Sequence, residues 1–191
     1  MSYSFKIYSS LLVSLLPLVL FTSPSFARPS MKPTSPLIDE ICSKCLDPSL
    51  CLKVLRSNHH SAHADLKGLG RISIHIARKY ANQTSNLITS LSKGETTFVL
   101  KGRYDVCAEL YGDAIDELNG AEEILNKEEV LSPFDISTFR IRASAASDGP
   151  VTCEDGFEKP PNEPTMLKQA NKKLEGLCSI VLAIGASLNS G

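Results

Sequence analysis

Several kinds of chemistry are missing from this sequence. It contains no Gly-x-Ser-x-Gly turn and no paired histidines with a glutamate at helical spacing, so it encodes neither an activated serine nor a helix-borne zinc site. No glycine-rich loop leads into a helix, which removes the usual cradle for a nucleotide phosphate. Neither sign of charge is in excess: 20 Lys and Arg face 21 Asp and Glu, for a formal net charge of −1. That balance supplies no footprint for nucleic acid or an anionic lipid surface. No stretch alternates apolar and polar positions over strand-forming residues, and no second long apolar run follows the first 27 residues. An enzyme with standard machinery, a β-rich domain and an integral membrane protein are all disfavoured together.

The apolar run that is present, Ile7 to Phe21, is interrupted by Ser9, Ser10, Ser14 and Pro17. It falls short of the ~20 apolar residues of a comfortable span. Lys6 precedes it, and Ser25-Phe26-Ala27 sets small residues at −3 and −1 of a cleavage site. Residues 1–27 therefore read as a signal peptide cut after Ala27, which makes the mature chain a secreted one. Cleavage removes one basic residue, Lys6, and no acidic one, so the formal charge moves to −2. All six cysteines (Cys42, Cys45, Cys51, Cys107, Cys153 and Cys178) stay in the mature part. In an oxidising compartment they read as a disulfide framework whose connectivity the sequence leaves open. Asn82-Gln83-Thr84 is a glycosylation sequon suited to a secreted protein.

After a polar tail over 28–34, the chain signals helices. Ser35-Pro36 and Asp47-Pro48 each pair an N-cap residue with a proline at the first helical position, and predict a short helical hairpin over 35–57. Cys42 and Cys51, nine apart, fall one on each arm; a bridge between them would contribute ~2.5 kcal/mol. A linker with Asn58-His59-His60 follows. Four long amphipathic helices then occupy 65–189. The first runs over 65–93, with Leu66, Leu69, Ile72, Ile76, Tyr80, Leu87 and Leu91 as its stripe and Gly94 as its stop. The second, over 97–127, carries Val106, Leu110, Ala114, Leu118, Ala121 and Leu125. The third opens at Ser132-Pro133 and continues through Ile136, Phe139, Ala143, Ala146, Cys153 and Phe157, with a kink or break expected at Gly149-Pro150. The last, capped by Thr165 after the stiff turn Pro160 to Pro164, has Met166, Ala170, Leu174, Leu177, Val181, Ile184 and Leu188 at heptad steps. Short loops between four such helices predict an all-α, antiparallel up-down-up-down four-helix bundle. Together with the hairpin it makes one domain over 35–189. Cys107 and Cys153 fall on inward faces of consecutive helices, and a bridge there would contribute ~4 kcal/mol.

The remaining reactive residues have plain readings. Glu154, Asp155 and Glu158 are a solvated helix face rather than a glycosidase carboxylate pair. His59, His60 and His63 lie in a linker with only Asp65 nearby, and His75 sits at a surface position, so no metal and no cofactor is expected. Cys45 and Cys178 are either buried inert thiols or bridged, to each other as a third disulfide or to another chain.

Four segments resemble the plant invertase and pectin methylesterase inhibitors: Ile41 to Cys51 with its nine-spaced cysteines; Tyr104-Asp105-Val106-Cys107-Ala108-Glu109-Leu110-Tyr111; Ser144-Ala145-Ala146-Ser147-Asp148 leading to Val151-Thr152-Cys153-Glu154-Asp155-Gly156-Phe157; and Leu177-Cys178-Ser179-Ile180-Val181-Leu182-Ala183-Ile184. The similarity spans about Pro36 to Leu188. It implies a disulfide-braced bundle with bridges Cys42–Cys51 and Cys107–Cys153. It also implies a secreted inhibitor, not an enzyme, that occludes pectin methylesterase or acid invertase as a monomer or 1:1 complex in the apoplast or vacuole. Ala64 to Gly70 and Val151 to Phe157 look closest to the pollen-allergen branch, which carries invertase-inhibitor labels. Two departures stand out: Cys45 replaces the family's usual Thr, and the Pro-Lys-Phe of some invertase inhibitors is absent, with Phe139-Arg140-Ile141 in that neighbourhood. Ser144-Ala145-Ala146 and Thr152 to Phe157 look more like the esterase side, so the two targets stand level. The expected binding face is polar, with Glu109, Asp113, Asp116 and Glu117. The alternative is a non-inhibitory helical bundle that binds or carries a ligand.

Overall fold

The computed structural model describes residues 36–160 and 162–188. The expected signal peptide, the whole polar tail over 28–34 and the Ser35 cap lie outside them. Six α-helices follow in order: α1 (Pro36–Ser43), α2 (Pro48–Ser57), α3 (Leu66–Gly94), α4 (Phe98–Leu125), α5 (Pro133–Asp155) and α6 (Thr165–Ser187). A 3-10 turn, His59–His63, bridges α2 and α3, where the sequence reads only a linker. Packing runs α3 on α4, α4 on α5, α5 on α6 and α6 back on α3, a closed four-helix ring with the α1–α2 hairpin laid on α6. Among the described residues no helix is long and apolar enough to cross a membrane.

Local chemistry explains where the helices begin. Leu50 N donates to Asp47 Oδ1 (2.9 Å), and Gly68 N donates to Asp65 Oδ1 (2.7 Å). Ser132 and Asp135 form a reciprocal capping box at α5. The hydrogen bonds from Lys127 and Ser132 hold the Asp135 carboxyl down at about 2. At α6 the cap differs from expectation: Thr165 is the first helical residue, and Pro164 stands at the cap without a side-chain bond.

The buried faces differ from the stripes read off the large apolar residues. In α3 the wholly buried line is Leu69, Ser73, Ile74, Ala77, Ala81, Thr84 and Ile88, and the predicted Ile72, Ile76 and Tyr80 flank it half-buried. In α4 the expected Ala114, Leu118, Ala121 and Leu125 are buried, but the line continues toward the N-terminus through Tyr111, Cys107 and Tyr104, and Val106 is 54% exposed. In α6 the seam starts at Leu167, and Met166 is 62% exposed. Small residues let backbones approach, so the tightest lines of contact are the ones that a count of large side chains passes over.

The α4 and α5 backbones approach closely at Gly149. A Cβ there would stand 2.7 Å from the carbonyl oxygen of Leu110 and 3.2 Å from Ala114 Cβ. Nearby, Cys107 and Cys153 are disulfide-bonded with Cα atoms 4.9 Å apart, and Cys42 and Cys51 are bonded across the hairpin at 5.4 Å. Helix α5 runs unbroken through Pro150, where the sequence predicts a kink or break. Pro150 is buried next to Gly149, and the packing there outweighs one missing backbone bond.

Replacing Gly149 by alanine should therefore lower stability by about 1–3 kcal/mol through overpacking against a backbone atom. Gly112, with nothing within 4 Å of its would-be Cβ, should gain slightly on the same change. Urea unfolding of the oxidised protein measures both; equal midpoints for the two variants would refute the close contact.

Candidate functional site

The four carboxylates singled out in the sequence lie on the outer side of α4, and the fold adds a wall opposite them. A groove of about 330 Å³ runs between α4 and α5. Asp113, Asp116 and Glu117 line one side with Leu110; Ala145, Asp148, Gly149 and Thr152 line the other. Glu109 is exposed one turn earlier and is not among the lining residues. Asp148 completes the acidic set, and sequence reasoning passed over it. Its signal was positional: Ala145, Asp148 and Thr152 share one face of α5 at steps of three and four.

The charges are unevenly neutralised. Arg142 on α5 reaches across to Glu117 at 3.1 Å, lying in the space left by Gly120. Asp113, Asp116 and Asp148 form no ion pair among the described residues. Three uncompensated carboxylates around an apolar floor make a surface that attracts a cationic partner and weakens with salt.

The other reactive residues stand apart from this face. Cys45 and Cys178 are buried thiols. Burial pushes Cys45 up to about 11 and Cys178 up to about 12, which leaves negligible thiolate at neutral pH. Glu154 pairs with Lys168 of α6 at 3.2 Å. His59 and His60 are exposed with ring centres 3.9 Å apart and planes tilted by 41°, and among the described residues no group of three or more His, Cys, Asp or Glu side chains could hold a metal ion. Asn82 is exposed on α3 and donates to the Arg78 carbonyl, whereas Thr84 of the sequon is buried.

Beneath the groove lies a buried polar network that the sequence did not announce. Tyr111 donates to Asn171 Oδ1 (2.7 Å), and Asn171 Nδ2 donates to Glu163 Oε1 (2.6 Å) and lies 3.5 Å from Cys153 Sγ. The second oxygen of Glu163 is buried with no partner among the described residues. Burial raises the Glu163 carboxyl above its ordinary range, as does nearby Glu154, while Lys168 and Asn171 pull the other way.

A folded state that raises a carboxyl's pKa favours its protonated form. Glu163 then contributes stability fully below about pH 4, and that contribution is lost as pH rises through the raised value. The melting temperature of Glu163→Gln minus that of wild type should climb between about pH 4 and pH 7. A difference independent of pH, measured by circular dichroism in matched buffers, would rule this out.

Comparison with known proteins bears on this arrangement. Residues 36–184 match the family model described as plant invertase/pectin methylesterase inhibitor. A pectinesterase inhibitor of Actinidia deliciosa is 53% identical over 176 residues, covering 92% of each chain. A cell wall/vacuolar inhibitor of fructosidase from Arabidopsis thaliana is 27% identical, over 92% of this chain and 96% of its own. A crystal structure of a mutant pectin methylesterase inhibitor from Arabidopsis superposes with a TM-score of 0.69 at 30% identity, covering 80% of this chain and 97% of that one.

Proposed function

The chain belongs to the plant invertase/pectin methylesterase inhibitor family, and from that premise we propose that it inhibits pectin methylesterase by covering the enzyme's cleft with the α4–α5 face. As a member of an inhibitor family it is not itself catalytic. The observation that carries the choice of target is the 53% identity, over 92% of both chains, to a pectinesterase inhibitor. The fructosidase inhibitor aligns over a similar length at about half that identity, so acid invertase is the second reading.

The acidic groove supports a binding mode. Asp113, Asp116 and Asp148 stand ready to meet arginine or lysine on the enzyme, and Glu117 is already held by Arg142. Two disulfides and a filled core set this surface before the partner arrives, which reduces the ordering cost of binding. Export by the N-terminal leader brings the chain to the cell wall. A sugar on Asn82 has to be attached before α3 packs, because Thr84 is then buried.

The test is a paired assay of the oxidised chain from Arg28 onward against a plant pectin methylesterase and a plant acid invertase under one set of mildly acidic conditions. Inhibition of the esterase alone is expected. The double change Asp113→Asn with Asp116→Asn should raise its inhibition constant about tenfold and flatten the salt dependence. Inhibition of the invertase alone would reverse the assignment.

A further inference from the structure

A second recess prolongs the acidic groove toward the N-terminal end of α4. Val99, Gly102 and Val106 line it from α4, with Thr152 and Gly156 opposite, and the buried Cys107–Cys153 bridge lies at its base. It measures about 250 Å³, and its surface is almost wholly apolar. Thr152 lines both recesses, so the two adjoin along the α4–α5 seam and together make up one trough. Val99 is 51% exposed, and Val106 and Gly102 also face solvent. Nothing lies within 4 Å of a Cβ built on Gly102, which leaves the slot open. Arg103 borders it, but its guanidinium stands 5.5 Å from the Phe157 ring centre and donates to the Lys159 carbonyl, so that charge is directed to the 156–164 loop.

We propose that this slot is the anchor pocket of the interface. It receives one aromatic or leucine-sized side chain from the target enzyme, beside an arginine or lysine that meets Asp113 and Asp116. The proposal rests on the esterase-inhibitor reading and specifies its partner's chemistry. Val106 and Asp113 are seven residues apart on one helix, so the apolar and cationic groups of the partner stand about 10 Å apart. Charge complementarity selects this occupant: the acidic half of the trough fixes the sign of what lies beside the anchor, and a desolvated apolar side chain in a pocket supplies the affinity that exposed carboxylates do not. Steering and anchoring are thereby divided between the two halves of one trough.

The division is testable because the slot can be filled from within. Gly102→Phe brings a ring to the slot from α4, where a Cβ meets nothing within 4 Å, and Thr152→Phe brings one from the α5 wall. Against a plant pectin methylesterase, both should raise the inhibition constant at least thirtyfold at every salt concentration from about 50 to 300 mM, with the slope against salt unchanged. Gly102→Ala should cost only a few-fold, and His75→Phe on exposed α3 nothing. Melting temperatures should hold or rise for the Gly102 variants, since glycine is a poor helix former. Wild-type potency in Gly102→Phe and Thr152→Phe overturns the slot and leaves the inhibitor reading standing. An equal loss in Gly102→Ala and Gly102→Phe points to helix stiffening and also overturns it. If wild type sediments as a dimer that Gly102→Phe dissociates, the occupant is a second copy of this chain and the proposal fails. If wild type does not inhibit the esterase at all, the reading beneath the slot falls, and the slot with it.

Discussion

The apposition of α4 and α5 is the constraint on which the rest of the molecule depends. It requires a residue without a side chain at Gly149, where the Leu110 carbonyl stands too close for any Cβ. Once the two backbones are that near, Cys107 and Cys153 fall within bonding reach, and the bridge fixes the register of one helix against the other. The trough on the outside and the polar network on the inside are two sides of this one contact. On the outer side Ala145, Gly149 and Thr152 leave a floor between the acidic rows. On the inner side the Cys153 sulfur lies against Asn171 of α6. A displacement of α5 along α4 would therefore disturb binding face and core together.

The network of Tyr111, Asn171 and Glu163 does work that apolar packing cannot. Apolar contacts tolerate small slips at little cost, whereas a buried amide left unpaired costs roughly 1–3 kcal/mol. Asn171 spends its oxygen on α4 and its nitrogen on the loop that joins α5 to α6, so α6 has one register in which both bonds close. Glu163 is the incomplete member, with one oxygen bonded and the other buried without a partner among the described residues. Protonation removes the charge that burial penalises, which makes the loop's attachment firmer in acid than at neutrality.

How much of this was legible in the chain depended on the distance over which each feature is decided. Helix starts were readable because caps are local: Asp47-Pro48 and Ser132-Pro133 carry their own hydrogen-bond partners within four residues. Heptad steps in α6 gave most of its buried seam, but its first position fell at Leu167, not Met166, since no local signal separates two adjacent apolar residues at a helix start. The face of α3 was read a position or two away from where it packs, because alanine, serine and threonine fill its closest line and do not register as hydrophobic, whereas the stripe of α4 was right from Ala114 to Leu125 and slipped only at Val106 and Leu110. Pro150 suggested a break that tertiary packing overrides. Asn171 and Glu163 could not be singled out, since each gains its meaning from a residue on another helix or loop, and Asp148 showed only its place on one face of α5 with Ala145 and Thr152. The choice between two targets was equally out of reach, because one scaffold accommodates both.

That last point has a physical basis. Exposed carboxylates attract any cationic cleft, and the attraction is long-ranged and tolerant of geometry, so charge alone separates two enzymes poorly. Discrimination needs a feature that only one partner can fill, and such features are short-ranged and shaped. On this bundle the acidic rows supply the general attraction. The glycine- and valine-lined recess above the disulfide is the apolar part of that trough, whose shape a partner's side chain has to fit. The bridge that holds α4 against α5 also lies at the base of that recess, so the rigidity needed to keep the pocket's shape comes from the same bond that permits the helices' approach.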